Sequence, residues 1–148
     1  MKIVVLAGGI SPERDVSLCS GAKISNALRE KGHRVVLIDL FLGIENVDNI
    51  DKLFVDKSSG VVDKYEIPEN PPKLSEIKEM RNDKSDALIG PNVLNICRAA
   101  DKVFIALHGA CGEDGRLQAL FDMYGIKYTG SDYISCAIAM DKDVTKRF

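Results

Sequence analysis

The stretch that decides the fold is Lys2-Ile3-Val4-Val5-Leu6-Ala7-Gly8-Gly9-Ile10-Ser11-Pro12-Glu13. It opens with a continuous apolar run, which is typical of a strand buried on both faces of a parallel sheet. Two glycines end this run and predict a turn. Ser11 and Pro12 then predict the start of a helix, as N-cap and first-turn proline, with Asp15 as the alternative cap. The opening therefore indicates a strand over residues 2–6 followed directly by a helix.

The rest of the chain repeats this alternation of strand and helix. The first helix ends at Gly32, and residues 35–38 form a second apolar run, so strand, helix and strand make one βαβ unit. We expect this helix to bury a stripe of Val16, Cys19, Ile24, Ala27 and Leu28. Further strands are predicted over residues 102–107 and 126–129, and further helices over residues 91–97, 112–124 and 131–137, the last capped by Ser131. The alternation predicts an α/β fold, an open, mainly parallel, Rossmann-like sheet in three layers.

The middle of the chain, residues 41–91, is predicted to be an irregular insertion. Asp, Asn, Lys and Ser are frequent there, and turn signals recur. Short strands are predicted over residues 53–55 and 61–67, and a helical stretch over residues 74–81. The length of the chain fits one domain, residues 1–148, with a core of its own.

Composition and charge exclude several classes of function. Of the 148 residues, 45% are apolar and 28% are charged. The net charge is −2, so the chain lacks the excess of basic residues that would indicate a nucleic-acid partner. No apolar stretch approaches the about 20 residues that span a membrane, and the N-terminus lacks a signal-peptide pattern. The four cysteines form no C-x-x-C pair and only His33 and His108 accompany them, so no metal site is expected. Four reduced thiols indicate a cytoplasmic protein.

The first candidate site follows the first strand, because open parallel sheets bind ligands at the carboxyl ends of their strands. Gly8 and Gly9 let a ligand approach the backbone, and the start of the next helix favours an anion. Glu13 adds a carboxylate beside this anion site. The combination suits a zwitterion, with one end on N–H groups and the other on the carboxylate. A tight turn with Glu13 placed favourably on the helix dipole would use the same residues, so both interpretations stay open.

The second candidate site is His108-Gly109-Ala110-Cys111-Gly112-Glu113-Asp114-Gly115, after the strand predicted over residues 102–107. A histidine just past a strand end can hydrogen-bond a carboxylate, although a structural histidine would look the same. Glu113 and Asp114 would serve equally well as helix caps. The glycines do not follow the G-x-G-x-x-G spacing, and only Asp39 ends a matching second strand, so a nicotinamide-dependent oxidoreductase is disfavoured.

Together with Tyr128-Thr129-Gly130-Ser131 and Met140-Asp141-Lys142, these two motifs resemble the D-alanine–D-alanine ligase family of the ATP-grasp superfamily. That family carries GGxSxERxVSLxSG, LHGxxGEDGxxQ, YxGS and MDK in this order and at similar separations. The resemblance is strong over residues 2–38 and 103–148 and weak across the middle. Asp15 stands where glutamate is commoner in the family.

The resemblance implies an ATP-dependent ligase that makes the dipeptide precursor of peptidoglycan through a D-alanyl phosphate. It implies two catalytic residues, Glu13, which holds the ammonium of the first D-alanine, and His108, which lies against its carboxylate. It also implies that Val16 packs against the methyl group. The other residues implied are Gly8, Gly9 and Gly109 for the substrate and Lys142 for the phosphates of ATP.

The resemblance also implies a larger enzyme around these residues. Family members are roughly twice as long, well beyond the size of one domain, and their ATP-grasp subdomains supply the nucleotide cleft and the acidic ligands of Mg²⁺ or Mn²⁺. We therefore expect the amino-terminal, substrate-binding domain of an enzyme that is a homodimer when complete, and no ligase activity from these residues alone. A stand-alone α/β module for a small anionic ligand or a protein partner fits the length, but it leaves the four ordered motifs unexplained. Whether the second substrate is D-alanine, D-lactate or D-serine is not fixed by these residues.

Overall fold

The structure, a computed structural model, describes residues 1–148. Its strands are β1 (Lys2–Ala7), β2 (Arg34–Asp39) and β3 (Lys102–Ile105). Its α-helices are α1 (Arg14–Glu30), α2 (Leu74–Glu79), α3 (Val93–Ala99), α4 (Arg116–Tyr124), α5 (Tyr133–Met140) and α6 (Lys142–Thr145). Two short 3₁₀ helices, Ile50–Leu53 and Lys57–Ser59, lie in the middle segment. None of the helices has the length and apolarity that a membrane crossing requires.

The three strands form one open parallel sheet in the order β2-β1-β3. Val4 of the central strand lies opposite Val36 on one side and Val103 on the other. Because successive side chains of a strand point to opposite faces, this register places these three valines on one face of the sheet. The open parallel α/β fold predicted from the sequence is confirmed.

Each face of the sheet is covered by helices. On one face, Val4 and Leu6 belong to a core cluster with Ile96 of α3 and Phe121 of α4. On the other face, Val5 belongs to a smaller cluster that packs under α1. Full burial of an Ile or Phe side chain contributes about 1.5–3 kcal/mol to stability. Helix, sheet and helix thus make the predicted three layers.

The face that α1 turns toward the sheet differs from the predicted apolar stripe. Val16 and Ala27 are exposed, and the other three predicted residues are half-buried. The buried positions of the face include four small residues, Ser17, Gly21, Ala22 and Ser25. A Cβ atom at Gly21 would lie only 2.7 Å from the Cβ of Ala7 on β1. The prediction is wrong for Val16 and Ala27, whereas Ile24 and Leu28 pack against the core cluster under α1. The small residues beside them let the helix approach the sheet closely.

The helices also begin at other residues than predicted. Glu13 is the N-cap of α1, and its side chain makes no capping hydrogen bond. Both predicted caps were wrong: the Ser11 hydroxyl donates to the carbonyl oxygen of His108, and Asp15 lies inside the first turn of α1. Helix α4 begins only at Arg116, and α5 is capped by Asp132, whose carboxylate accepts from the Ser135 N–H. Ser131 was therefore the wrong cap.

The shortest predicted strands are reduced to single bridges at the two sides of the sheet. Val55 forms an antiparallel bridge with Val35, and Tyr128 forms a parallel bridge with Val103. The predicted helical stretch over residues 74–81 is confirmed as α2.

Residues 61–67 do not form the predicted strand. They lie along α1, where the side chain of Asn26 exchanges two hydrogen bonds with the backbone of Asp63 (2.8 and 3.0 Å). The Asp63 carboxylate also pairs with the buried Arg29 at 2.6 Å. These side-chain bonds hold the segment on the helix and away from the sheet edges.

Candidate functional site

The two glycine-rich motifs meet at the carboxyl edge of the sheet, because β1 and β3 are parallel neighbours. The Ser11 hydroxyl donates to the carbonyl oxygen of His108 at 3.2 Å. A Cβ atom at Gly109 would lie 2.8 Å from Oε2 of Glu13. The Glu13 side chain therefore reaches the loop that carries His108. This agrees with the position of the two motifs, because each follows one of two neighbouring strands.

Gly8 and Gly9 shape the turn after β1 through internal hydrogen bonds. Both have positive φ angles, +72° and +78°, which glycine adopts without strain. The Gly8 N–H donates to Oγ of Ser17 at 2.9 Å, and the Gly9 N–H donates to Oδ1 of Asp39 at 3.4 Å. These amide groups are thus engaged inside the fold.

Amide groups without an acceptor lie slightly further along, in the first turn of α1. The backbone N–H groups of Asp15 and Val16 have no acceptor in the chain, as is usual for the first residues of a helix. They carry the partial positive charge of the helix terminus. The Glu13 side chain, next to them, is exposed and forms no hydrogen bond or ion pair with another residue.

His108 lies beside a second carboxylate. Its side chain is 36% exposed, and its Nδ1 is 4.0 Å from Oε1 of Glu113. The other oxygen of Glu113 accepts from the N–H of Gly109 at 2.8 Å. Glu113 thus folds back over its own loop and presents one oxygen toward the imidazole, rather than capping α4.

Asp114 braces the rest of this loop. Its carboxylate accepts from the backbone N–H groups of Cys111 (2.9 Å) and Arg116 (3.1 Å). Cys111 has a positive φ of +70°, an uncommon backbone conformation for a residue with a side chain. Burial, followed by the nearby Asp114 charge, raises the pKa of the Cys111 thiol. Asp114 therefore holds the loop shape, which agrees with a structural role.

The two outer residues of the predicted site are exposed. Val16 is 45% exposed on the first turn of α1, with its side chain directed away from the core. Lys142 begins the short helix α6, and its side chain makes no hydrogen bond or ion pair with another residue. The structure thus brings together Glu13, His108 and Gly109, whereas no contact links Lys142 to them.

A cleft of about 640 Å³ opens beside His108, between α1 and α5. Ser20 and Ile24 of α1 line one side, and Ser135 and Cys136 of α5 line the other. A concave surface is the usual shape of a small-molecule site, and this cleft is lined by His108 but not by Glu13.

The buried residues Arg14 and Ser17 and the half-buried Asp39 were not predicted as functional. Arg14 donates to the carbonyl oxygen of Gly9 at 2.7 Å and forms an ion pair with Asp39. Ser17 donates to the carbonyl oxygen of Ala106 at 2.7 Å and so ties α1 to the end of β3. The position of Asp39 at the end of a strand was the available signal. Its pairing with Arg14 could not be read from residue spacing.

The chain provides no set of ligands for Mg²⁺ or Mn²⁺. No group of three or more His, Cys, Asp or Glu side chains is close enough to hold a metal ion. The candidate site contains two separate carboxylates and an imidazole, which suits a small organic ion better than a divalent cation.

The chain is similar to known proteins over most of its residues. The family profile described as D-ala D-ala ligase N-terminus matches residues 2–131. A D-alanine–D-alanine ligase from Pediococcus pentosaceus is 52% identical over 146 residues, which cover 99% of this chain and 42% of that protein. The D-alanine–D-alanine ligase of Lacticaseibacillus casei is 47% identical over 151 residues, which cover 99% of this chain and 41% of that protein.

A solved structure shares the fold. It is a D-alanine–D-alanine ligase from Bacillus anthracis in complex with ATP, with a TM-score of 0.57 and 22% identity, and the match covers 99% of this chain and 34% of that one. The chain spans about two fifths of the length of the curated relatives named above. Because the family profile covers most of its residues, the chain belongs to the D-alanine–D-alanine ligase N-terminus family.

Proposed function

We propose that this chain is the amino-terminal domain of an ATP-dependent D-alanine–D-alanine ligase and binds the first D-alanine. The observation that carries the proposal is the unpaired carboxylate of Glu13, which reaches the Gly109 loop beside His108. Family membership and the identity to named ligases support the same function.

The proposed substrate is a zwitterion, and the site offers a group for each end. Glu13 would accept hydrogen bonds from the ammonium group. His108 and the free amide groups at the start of α1 would face the carboxylate. Val16 is exposed close to Glu13 and would contact the methyl group.

Charge attraction would then orient the amino acid. An ammonium–carboxylate pair about 4 Å apart is worth about 1 kcal/mol in water and about 4 kcal/mol at the effective dielectric near a protein surface. Exclusion of water from the site would therefore strengthen the contact with Glu13. A fixed ammonium leaves the substrate carboxylate pointing toward His108, where the acyl group would be activated.

We further propose that the peptide-forming reaction needs more than these 148 residues. ATP and Mg²⁺ or Mn²⁺ would bind largely outside them, because the chain holds no metal-ligand cluster and Lys142 stands alone on an exposed helix. The Bacillus anthracis ligase with ATP supports ATP as the cosubstrate.

A cytoplasmic location and a homodimer complete the proposal. All four cysteines are free, as expected in a reducing compartment. Light scattering of the full-length protein would show twice the mass of one chain. A monomer at micromolar concentration would contradict the homodimer.

The function is tested in the full-length protein by phosphate release from ATP. We expect release that depends on D-alanine and a product that is D-alanyl-D-alanine. Glu13→Gln keeps the size of the side chain but removes its charge. Loss of one charged hydrogen bond costs about 1.5–3 kcal/mol, so kcat/KM for the first D-alanine should fall roughly 10- to 150-fold, with the KM for ATP unchanged.

Glu30→Gln is the matched control. Glu30 lies at the other end of α1, where it pairs with Lys57 on the surface, so its kinetics should match those of the wild type. If Glu13→Gln had normal kinetics and a lower melting temperature, Glu13 would have only a structural role at the helix terminus. Absence of D-alanine-dependent phosphate release would overturn the proposed function itself.

A further inference from the structure

Three consecutive residues at the start of α1 point in different directions. Glu13 is exposed and reaches the Gly109 loop, whereas Arg14 and Asp15 are buried, at 6% exposure each. The backbone of Glu13 is therefore anchored by the two residues that follow it. The contacts of Arg14 and Asp15 therefore determine where the Glu13 carboxylate lies.

Arg14 is fixed against the glycine turn. Its guanidinium donates to the carbonyl oxygen of Gly9 at 2.7 Å and forms an ion pair with Asp39, and both side chains are largely buried. Oδ1 of Asp39 also accepts from the N–H groups of Phe41 (2.9 Å) and Leu42 (3.0 Å). This pair joins α1 to the ends of β1 and β2.

Asp15 is fixed by a residue from the middle segment. The hydroxyl of Tyr65 donates to Oδ1 of Asp15 at 2.5 Å. Tyr65 belongs to the stretch that Asp63 attaches to Asn26 and Arg29 of the same helix. Partial burial, and then the bond to Asp15, raise the pKa of Tyr65 to about 12, so the hydroxyl keeps its proton at neutral pH.

We propose that Tyr65 is a positioning residue, which holds the first turn of α1 through Asp15 and thereby sets the position of the Glu13 carboxylate. The irregular segment over residues 41–91 would thus take part in the site for the first amino acid without touching it. The expected change in KM rests on the proposed function, whereas the role of Tyr65 in holding the first turn of α1 does not.

The kinetic test compares conservative variants of the full-length protein. Tyr65→Phe removes only the hydroxyl, so we expect the KM for the first D-alanine to rise about 3- to 10-fold, the effect of one lost hydrogen bond. Values of kcat and the KM for ATP should stay close to those of the wild type. Tyr124→Phe is the control, because Tyr124 is 49% exposed and its hydroxyl forms no hydrogen bond with another residue.

A double-mutant cycle shows whether Tyr65 acts through Asp15. Asp15→Asn keeps an acceptor for the hydroxyl and should affect the KM less than Asp15→Ala. In the presence of Asp15→Ala, the further change Tyr65→Phe should add nothing, since the bond is already lost. Additive effects of the two changes would overturn the proposed coupling.

Hydrogen exchange gives a readout that does not need activity. The backbone amides of Arg14 and Ser17, which donate to the carbonyl oxygens of Ser11 and Glu13 in the first turn of α1, should exchange about 3- to 10-fold faster in Tyr65→Phe than in the wild type, as one lost hydrogen bond predicts, and should be unchanged in Tyr124→Phe. Unchanged exchange and an unchanged KM would overturn the inference. If the wild-type protein released no phosphate with D-alanine, the proposed function would fail, and the exchange rates alone would decide the role of Tyr65.

Discussion

Gly109 shows how a single position serves both the backbone and the candidate site. Its φ of +71° is one that residues with side chains rarely adopt, and the place of its missing Cβ lies 2.8 Å from Oε2 of Glu13. Any side chain at this position would strain the loop and also displace the carboxylate. The glycine therefore keeps the space between the two motifs open.

Gly109→Ala should affect stability and substrate use together. The left-handed backbone costs about 1–2 kcal/mol of stability for alanine. Displacement of Glu13 should raise the KM for D-alanine in the full-length protein by about 5-fold or more, equivalent to about 1 kcal/mol. Gly125→Ala is the control, because Gly125 has a similar φ of +64° with no atom near its missing Cβ. The Gly125→Ala variant should lose a similar amount of stability and keep a normal KM for D-alanine. An equal rise of this KM in both variants would contradict the expected contact between residue 109 and Glu13.

At this scale the sequence predicted Glu13 and His108 as candidate residues and missed the buried Arg14, which follows Glu13 directly. Glu13 and His108 were predicted because they follow strand ends, and the structure brings their loops together. Arg14 was missed because an arginine at the start of a helix usually faces water. Only the fold shows that Asp39, at the end of β2, is close enough to pair with it.

Among the elements, α1 contributes most to the site. Its position is set by its close packing on the sheet. The buried face of the helix includes small residues, and the place of a Cβ at Gly21 lies 2.7 Å from the Cβ of Ala7 and 2.9 Å from Cδ1 of Leu37. The helix axis is therefore held near β1. A larger residue would push the helix, and with it Glu13, away from the sheet.

Gly21→Ala should destabilise the protein although alanine is the better helix former. The gain in helix propensity is about 1 kcal/mol, and overpacking costs about 1–3 kcal/mol. Ala7 lies on the central strand and cannot move aside, so we expect a net loss of up to about 2 kcal/mol in urea denaturation. Lys23→Ala, on the exposed face of α1, should change stability by less than about 0.5 kcal/mol. A more stable Gly21→Ala variant would mean that the sheet can accommodate the methyl group.

The sequence predicted the existence and order of these elements better than their contacts. The long strand and helix runs near both ends of the chain were confirmed, because hydrophobic periodicity alone indicates them. The strand predicted over residues 61–67 was wrong, because Asn26 binds the backbone of Asp63 and Arg29 binds its carboxylate. Such side-chain bonds between distant residues leave no periodic pattern.

For the molecule as a whole, we expect the 148-residue chain to fold without a partner. Both faces of its sheet are covered, and each face has its own core cluster. Thermal unfolding followed by circular dichroism should show one cooperative transition. The folded chain should release no phosphate from ATP with D-alanine present. A gradual transition with dye binding would show that the domain needs further residues to fold, and phosphate release above background would show a nucleotide site within it.

The single bridges at the two sides of the sheet have a consequence for self-association. Unpaired edge strands are templates on which another copy of a protein can add a strand and aggregate. On the β2 side, Val35 and Val55 exchange two backbone hydrogen bonds, and on the β3 side Val103 is bonded to Lys127 and Thr129. Each bridge occupies the middle or the start of a short strand, so neither edge offers a long row of free N–H and C=O groups. We therefore expect these two single bridges to hinder the addition of a strand from another copy at either edge of the sheet.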